Sequence, residues 1–330
     1  MGKGSGIIRN ITIFGGLSVA ALHLFNRFES KRACIQNQER TREDKTYNWR
    51  SGNVDYKVKG YGDPILLIHD LNIGSNKAEF SFIFDILSAD HKVYCPDLPG
   101  FGKSDKPAMT YTASMYEDMI TQFIRDVIKT ETDIVVTGSS APIIIKLAHN
   151  NPKLVKKLIM INPLGLYDQN LIPSIQSRLL KVFINIPILG TFYYNMNSTK
   201  QALSDKFNNE YLGDIADTDS DKIEQIILQY YRSAHEGGIF AKHAYASHLA
   251  QYMTVNVLHE LQEDKHPILL IGGEYEPDIE ANIENYSFYK NELKSVIIAG
   301  SAHLPQIDNA EETAEHIISF IKNSDHSEES

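Results

Sequence analysis

Residues Val135 to Ile144 read VVTGSSAPII, an apolar run that breaks at Gly138-Ser139-Ser140 and resumes at once in helix-forming residues. A buried strand that passes directly into a helix is the unit from which parallel sheets are built. The small residues at the break also give nearly the spacing of the nucleophile elbow G-x-S-x-G, whose strained turn lifts a serine hydroxyl above the sheet. In that register Ser140 is the nucleophile and Pro142 stands where the last glycine belongs. Pro142 falls in the first helical turn, where its missing N–H is not required and its fixed φ suits the helix. The N–H of Ala141 then remains as an oxyanion donor. The same residues describe an ordinary polar end to a buried strand, so the rest of the chain has to decide.

Outward from this stretch, apolar runs alternate with helical patterns: strands PILLIH, KVYCPDL, DIVVTG and KLIMIN, with helices near Ala78 to Leu87, Ala113 to Ile128 and onward from Pro142. Strands too apolar to have a wet face predict a mostly parallel, doubly wound α/β sheet covered by helices on both sides. TYNWRS and VDYKVKG, separated by a Gly52-Asn53 turn, read as an antiparallel hairpin before it. Between Pro163 and Leu261 the patterning is helical without a clear buried strand, and strand-helix order returns with PILLIGGE, SVIIAG and a helix from about Glu311 to Ile321. The expected organisation is an apolar segment at 1–28, a polar tether at 29–45, a core split between 46–162 and 263–322, an inserted helical cap at 163–262, and a polar tail at 323–330.

With 42% hydrophobic and 22% charged residues, the 330-residue chain can bury a large core. The net charge of -10 opposes phosphate-backbone binding, which needs clustered cations. Cys34 and Cys95 are too few for a disulfide framework. The uncharged stretch from Ile11 to Phe25 has three readings: a short membrane anchor, a cleaved signal, or an amphipathic or packed helix. We expect membrane association through residues 7–25. Arg27, Lys31, Arg32, Arg40 and Arg42 put the bulk of the chain on the cytoplasmic side, with secreted or soluble cytoplasmic forms as the alternatives.

In an open parallel sheet, ligands gather at the carboxyl ends of the strands. His69 and Asp70 end the PILLIH strand; both are read as shaping the loop beside the site, and the N–H of Leu71 is a candidate oxyanion donor. The loop from Asp97 to Pro107 lacks the G-K-S/T of a phosphate loop, which leaves Asp97 and Asp105 as loop-structuring residues. Glu276 or Asp278 follows one late strand and His303 follows the last. A serine needs a base, and the base needs a carboxylate to fix its tautomer; serine, acid and histidine occur here in that chain order. His235, His243 and His248 do not share one helical face as metal ligands would. FINIPILGTFYY packs on the core, touches a membrane or lines an acyl pocket.

ILLIH with its loop, DLPGFGKSDKP, GSS entering a helix, GGEYEP and GSAHLPQIDNAEE together resemble the α/β-hydrolase superfamily from about Thr46 to Ile321, with residues 163 to 261 in the place of its cap. The resemblance implies Ser140 as nucleophile, His303 as base, Glu276 as acid with Asp278 the alternative, and Leu71 and Ala141 as oxyanion donors. It implies a serine hydrolase of a carboxylic ester or related small acyl substrate, with no metal or organic cofactor. The family usually has glycine at 70 and 142; those departures keep open a membrane-tethered binding or signalling protein on the same fold. Dehalogenases and epoxide hydrolases of this fold require an aspartate nucleophile at the elbow, which serine argues against.

Overall fold

The computed structural model describes residues 19–33, 41–213 and 220–323. Eight strands form one sheet in the order β1-β2-β4-β3-β5-β6-β7-β8: β1 (Asp44–Trp49), β2 (Gly52–Lys59), β3 (Pro64–Ile68), β4 (Lys92–Pro96), β5 (Thr132–Thr137), β6 (Val155–Ile161), β7 (Ile268–Gly273) and β8 (Lys294–Ile298). β1 and β2 pair antiparallel, β2 joins β4 antiparallel, and every later pairing is parallel. The hairpin turn falls two residues before its expected place. Trp49 pairs with Gly52, so Arg50-Ser51 form the turn, and the N–H of Asn53 is held by the Asp105 carboxylate at 2.7 Å.

Alternation along the strands sorts the core into two layers. Leu66, Ile68, Ile134, Val136, Leu158, Met160 and Leu270 face one side. There they meet residues of α3 (Ala113–Phe123), α4 (Ala141–Asn150) and α11 (Ile279–Tyr289). Ile65, Leu67, Val135, Ile159 and Ile271 face the other, against α2 (Ser81–Leu87) and α13 (Ala310–Asn323). The short α12 (Pro305–Asp308) precedes α13. This is the doubly wound sheet that the strand patterning predicts.

Between β6 and β7 run α5 (Ile175–Asn185), α6 (Leu189–Asn197), α7 (Lys200–Lys206), α8 (Ser220–His235), α9 (Lys242–Leu249) and α10 (Leu258–Glu263). Tyr194, Leu203, Phe207, Tyr211, Ile227, Tyr230 and Tyr231 pack with Ile73, Leu304 and Ile307, from the segments that follow β3 and β8. The helical insertion therefore lies over the carboxyl ends of the strands.

Residues 19–33 form a helix, α1, so 29–33 do not belong to a polar tether. The reason is local: Glu29 is buried, and its carboxylate accepts the Tyr231 hydroxyl at 2.8 Å. Of the segment read as an anchor, residues 7–18 lie outside the described residues, as do 34–40 and the tail from 324.

Candidate active site

β5 ends at Thr137, and the next residue, Gly138, has φ +53°. That left-handed turn redirects the chain from strand into α4 and is the apex of the elbow. Ser139 and Ser140 then enter the helix through a tight turn. Ser140 has ordinary right-handed angles, φ −78° and ψ −21°, and its buried hydroxyl donates to the carbonyl of His69 at 2.7 Å. The N–H of Ala141 donates to the carbonyl of Gly138. Neither residue takes the place expected of it. The sharp turn lies two residues earlier than the G-x-S spacing implies; the Ser140 hydroxyl is taken by the His69 carbonyl and the Ala141 N–H by the helical turn.

Asp70 occupies the space that the Gly138 side chain leaves. A Cβ on Gly138 would lie 2.6 Å from the Asp70 Cγ and Oδ1, well inside van der Waals contact. Oδ1 accepts the Leu71 N–H at 2.7 Å, the Ser139 N–H at 2.8 Å and the Ser139 hydroxyl at 2.5 Å, while Oδ2 accepts the Asn72 amide. Leu71 thus points its N–H into the site, but an intramolecular carboxylate already fills the pocket. The second backbone N–H on Asp70 Oδ1 comes from Ser139, while that of Ala141 is bonded to Gly138. Asp70, expected only to shape the loop, places its carboxylate at the turn itself.

His69 is buried beneath it. Its Nε2 accepts the Leu98 N–H at 2.9 Å, and Nδ1 lies 2.6 Å from the Asp70 carbonyl. Accepting at Nε2 fixes the proton on Nδ1, which makes this imidazole a neutral loop clamp.

His303 and Glu276 are brought together. Nδ1 lies 3.1 and 3.0 Å from the two Glu276 oxygens. Asp278 is exposed at the start of α11 with φ +56°, leaving Glu276 as the carboxylate on the histidine. Nε2 approaches Asp70 Oδ2 at 3.6 Å, an ion contact beyond hydrogen-bond length, and has no hydrogen-bond partner among the described residues. Ser140 is accordingly not bonded to it. Burial alone would lower the His303 pKa, but the flanking Asp70 and Glu276 carboxylates prevail and push it up to about 10. Burial would raise Asp70, yet His303 and the Ser139 donors hold its carboxyl well below the usual range. The centre therefore holds an ionised carboxylate, one oxygen fixed by three donors and the other facing an imidazolium.

Two residues outside the expected set position this pair. Asn162, just past β6 with φ +41°, donates to the carbonyls of Ala302 and His303 at 2.9 and 3.0 Å and accepts the Gly273 N–H at 3.0 Å. Asp308 accepts the N–H groups of Ala302 and Gly213. Asn162 was recognisable only as a polar residue closing an apolar strand. Asn162→Ala removes three buried hydrogen bonds and is expected to cost about 2–4 kcal/mol of stability, read from the denaturant midpoint at unchanged slope.

From the helical insertion, the Tyr211 ring stacks on His303 with centroids 5.1 Å apart, and its buried hydroxyl has no hydrogen-bond partner among the described residues. The Tyr230 hydroxyl donates to Glu79 at 2.7 Å, and Glu79 also accepts the Asp70 N–H. Among the described residues no group of three His, Cys, Asp or Glu could hold a metal.

Residues 63–310 match a sequence model described as the alpha/beta hydrolase fold. The chain is 29% identical over 110 residues to an uncharacterized protein of Mycobacterium bovis, a match that spans 33% of this chain and only 32% of that relative's length. It is 23% identical over 273 residues to 2-(acetamidomethylene)succinate hydrolase of Mesorhizobium japonicum, covering 81% of this chain and 91% of the relative. A serine hydrolase involved in carbazole degradation shares the fold, with TM-score 0.68 and 18% identity over 84% of this chain and 98% of that one.

Proposed function

The chain belongs to the alpha/beta hydrolase fold family, and from that membership we propose that it is a hydrolase whose nucleophile is the Asp70 carboxylate. One observation carries the reading: Asp70 fills the space of the elbow side chain missing at Gly138, between the oxyanion donors and the histidine. An aspartate nucleophile thus reaches the elbow from the loop after β3.

An ionised carboxylate has no proton to lose, so it suits attack on an electrophilic sp3 carbon. The unpartnered Tyr211 hydroxyl, which feels the charges of Asp70 and Glu276, favours a leaving group that is an oxygen, such as an epoxide. In the first step Oδ2 bonds to the carbon and the carbon–oxygen bond breaks. The departing oxygen, hydrogen-bonded by Tyr211, takes the proton from His303 Nε2. His303 is then neutral, and it faces one carboxylate fewer. In the second step it removes a proton from water as the water adds to Asp70 Cγ. The Leu71 and Ser139 donors hold the resulting oxyanion on Oδ1. The Cγ–Oδ2 bond then breaks, the remaining water proton goes to the departing oxygen, and the Asp70 carboxylate and His303 imidazolium are restored.

The expected result of a single turnover in heavy-oxygen water with terminal epoxides is one heavy oxygen in the Asp70 peptide, with turnover unaffected by Ser140→Ala. Fluorophosphonate labelling of Ser140, abolished by His303→Ala, would sink the proposal and restore the serine acyl-enzyme reading with ester substrates. A second reading, a binding protein without turnover, draws on the saturation of the Asp70 carboxylate by Leu71, Asn72, Ser139 and His303. Its signature is ligand affinity with no hydrolysis of either series.

A further inference from the structure

Two surface helices expose large apolar residues to solvent. In α5, Ile175, Leu179 and Val182 are 77%, 63% and 62% exposed, and Ile186 just beyond its end is 40% exposed. They recur at the spacing of one helical face. The inward positions are Ser177, Leu180, Lys181 and Ile184, so the outward stripe is the more apolar one. α1 also exposes apolar residues, Val19, Leu24 and Phe28, while its inward side mixes buried Asn26, Glu29 and Ala33 with half-buried Leu22 and Phe25.

α1 is fixed to the cap at the end of this stripe. Asn26 donates to the Ile188 carbonyl at 3.0 Å and accepts the Asn195 amide at 2.9 Å, and Phe25 meets Phe192 edge to face. Between α1 and the cap lies a groove of about 490 Å³, lined by Arg27, Lys31, Lys242, His243, Ile188 and Ile239 among others, with no carboxylate in its lining. In a chain of net charge -10, an acid-free basic groove beside an exposed apolar stripe is a local reversal of charge. The chain leading into α1, residues 11–18, is itself uncharged and largely apolar.

We propose that this face docks on an anionic phospholipid bilayer, with the α5 stripe and the outer side of α1 entering the interface and a lipid phosphate seated in the groove near Arg27 and Lys31. An apolar helix face combined with a basic patch is the two-signal arrangement that reversible membrane binding requires. Among the described residues no helix is long and apolar enough to cross a membrane. In the proposed docking, α1 and α5 lie along the bilayer surface.

The full chain is mixed with vesicles of phosphatidylcholine alone and of phosphatidylcholine with phosphatidylglycerol, and binding is read by co-sedimentation. The parent is expected to prefer the anionic vesicles and to lose binding as salt rises. Arg27→Gln and Lys31→Gln each weaken it about fivefold, and Ile175→Glu/Leu179→Glu/Val182→Glu weakens it at least about tenfold with the N-terminal segment intact. These positions are exposed, so an unchanged thermal transition confirms folding of each variant. Equal affinity of parent and triple variant would overturn the proposal, because the α5 stripe would then contribute nothing to binding. Equal binding to both vesicle types would overturn the assignment of the groove to anionic lipid. A parent that ignores vesicles but self-associates, and loses self-association in the triple variant, would give the face to a second copy of the chain.

Discussion

Gly138→Ser alone is expected to destabilise the protein by about 3–4 kcal/mol. The new Cβ would sit 2.6 Å from the Asp70 carboxyl group, and a non-glycine residue would be held at φ +53°. Asp70→Gly alone strips His303 of one of its two carboxylates and opens a void. Combined, the two substitutions relieve each other, because the introduced hydroxyl takes the vacated space and the Leu71 and Ser139 N–H groups become free. Denaturant unfolding of both single variants and the double should give a double-variant cost well below the sum of the singles. The double variant should also be labelled by a fluorophosphonate at position 138, which the parent is not. Additive costs with no labelling would mean that Asp70 and the elbow side chain do not share one site.

Asp70→Asn has the second large effect, and pH gives it a sign. The raised His303 pKa contributes stability in full below its ordinary value of 6.5, and this is lost as pH rises through about 10. The depressed Asp70 pKa contributes stability above 3.8 that is lost as pH falls through its lower folded value. The parent pair is therefore intact across neutral pH. Asp70→Asn abolishes the acid-side loss and moves the alkaline loss down toward neutrality, since only Glu276 still faces the imidazole. We expect a cost of about 2–3 kcal/mol at neutral pH, short of the roughly 3–5 kcal/mol of a buried charge left bare. Turnover should fall at least about a thousandfold. An NMR titration in which the His303 pKa does not move between parent and variant would refute the coupling.

Much of the architecture was legible because it follows from periodicity. Strands such as PILLI and KKLIMI are apolar on both faces, and only a sheet covered on both sides accommodates them. The same alternation divides Leu66 from Leu67 and Ile134 from Val135 between the two layers. Glu276 and His303 were legible because each follows an apolar strand in an ordered succession. The elbow was misregistered by two residues for a definite reason. In TGSS the glycine supplies the turn and the serines follow it, whereas the motif places a glycine before the serine. Which residue takes a positive φ depends on where β5 stops, and small residues do not mark that point. Position 70 stood out as a departure from the usual glycine, but where its carboxylate goes could not be read from its own segment, because the space it fills is left open by a residue 68 positions later. The outward stripe of α5 was hidden likewise: amphipathic spacing gives a stripe, but tertiary packing decides whether it turns inward.

The shared space at Gly138 has a consequence for how such a chain can change over time. One volume can hold the side chain of either position but not both, so the two positions cannot drift independently. An ancestor with glycine at 70 and a side chain at 138 could not have acquired the aspartate first without a clash. Losing the side chain at 138 first would have left only a vacancy, which is the cheaper intermediate. Homologous chains should therefore fall into two groups, an acid at 70 with glycine at 138 or glycine at 70 with a side chain at 138. Chains carrying both side chains should be missing.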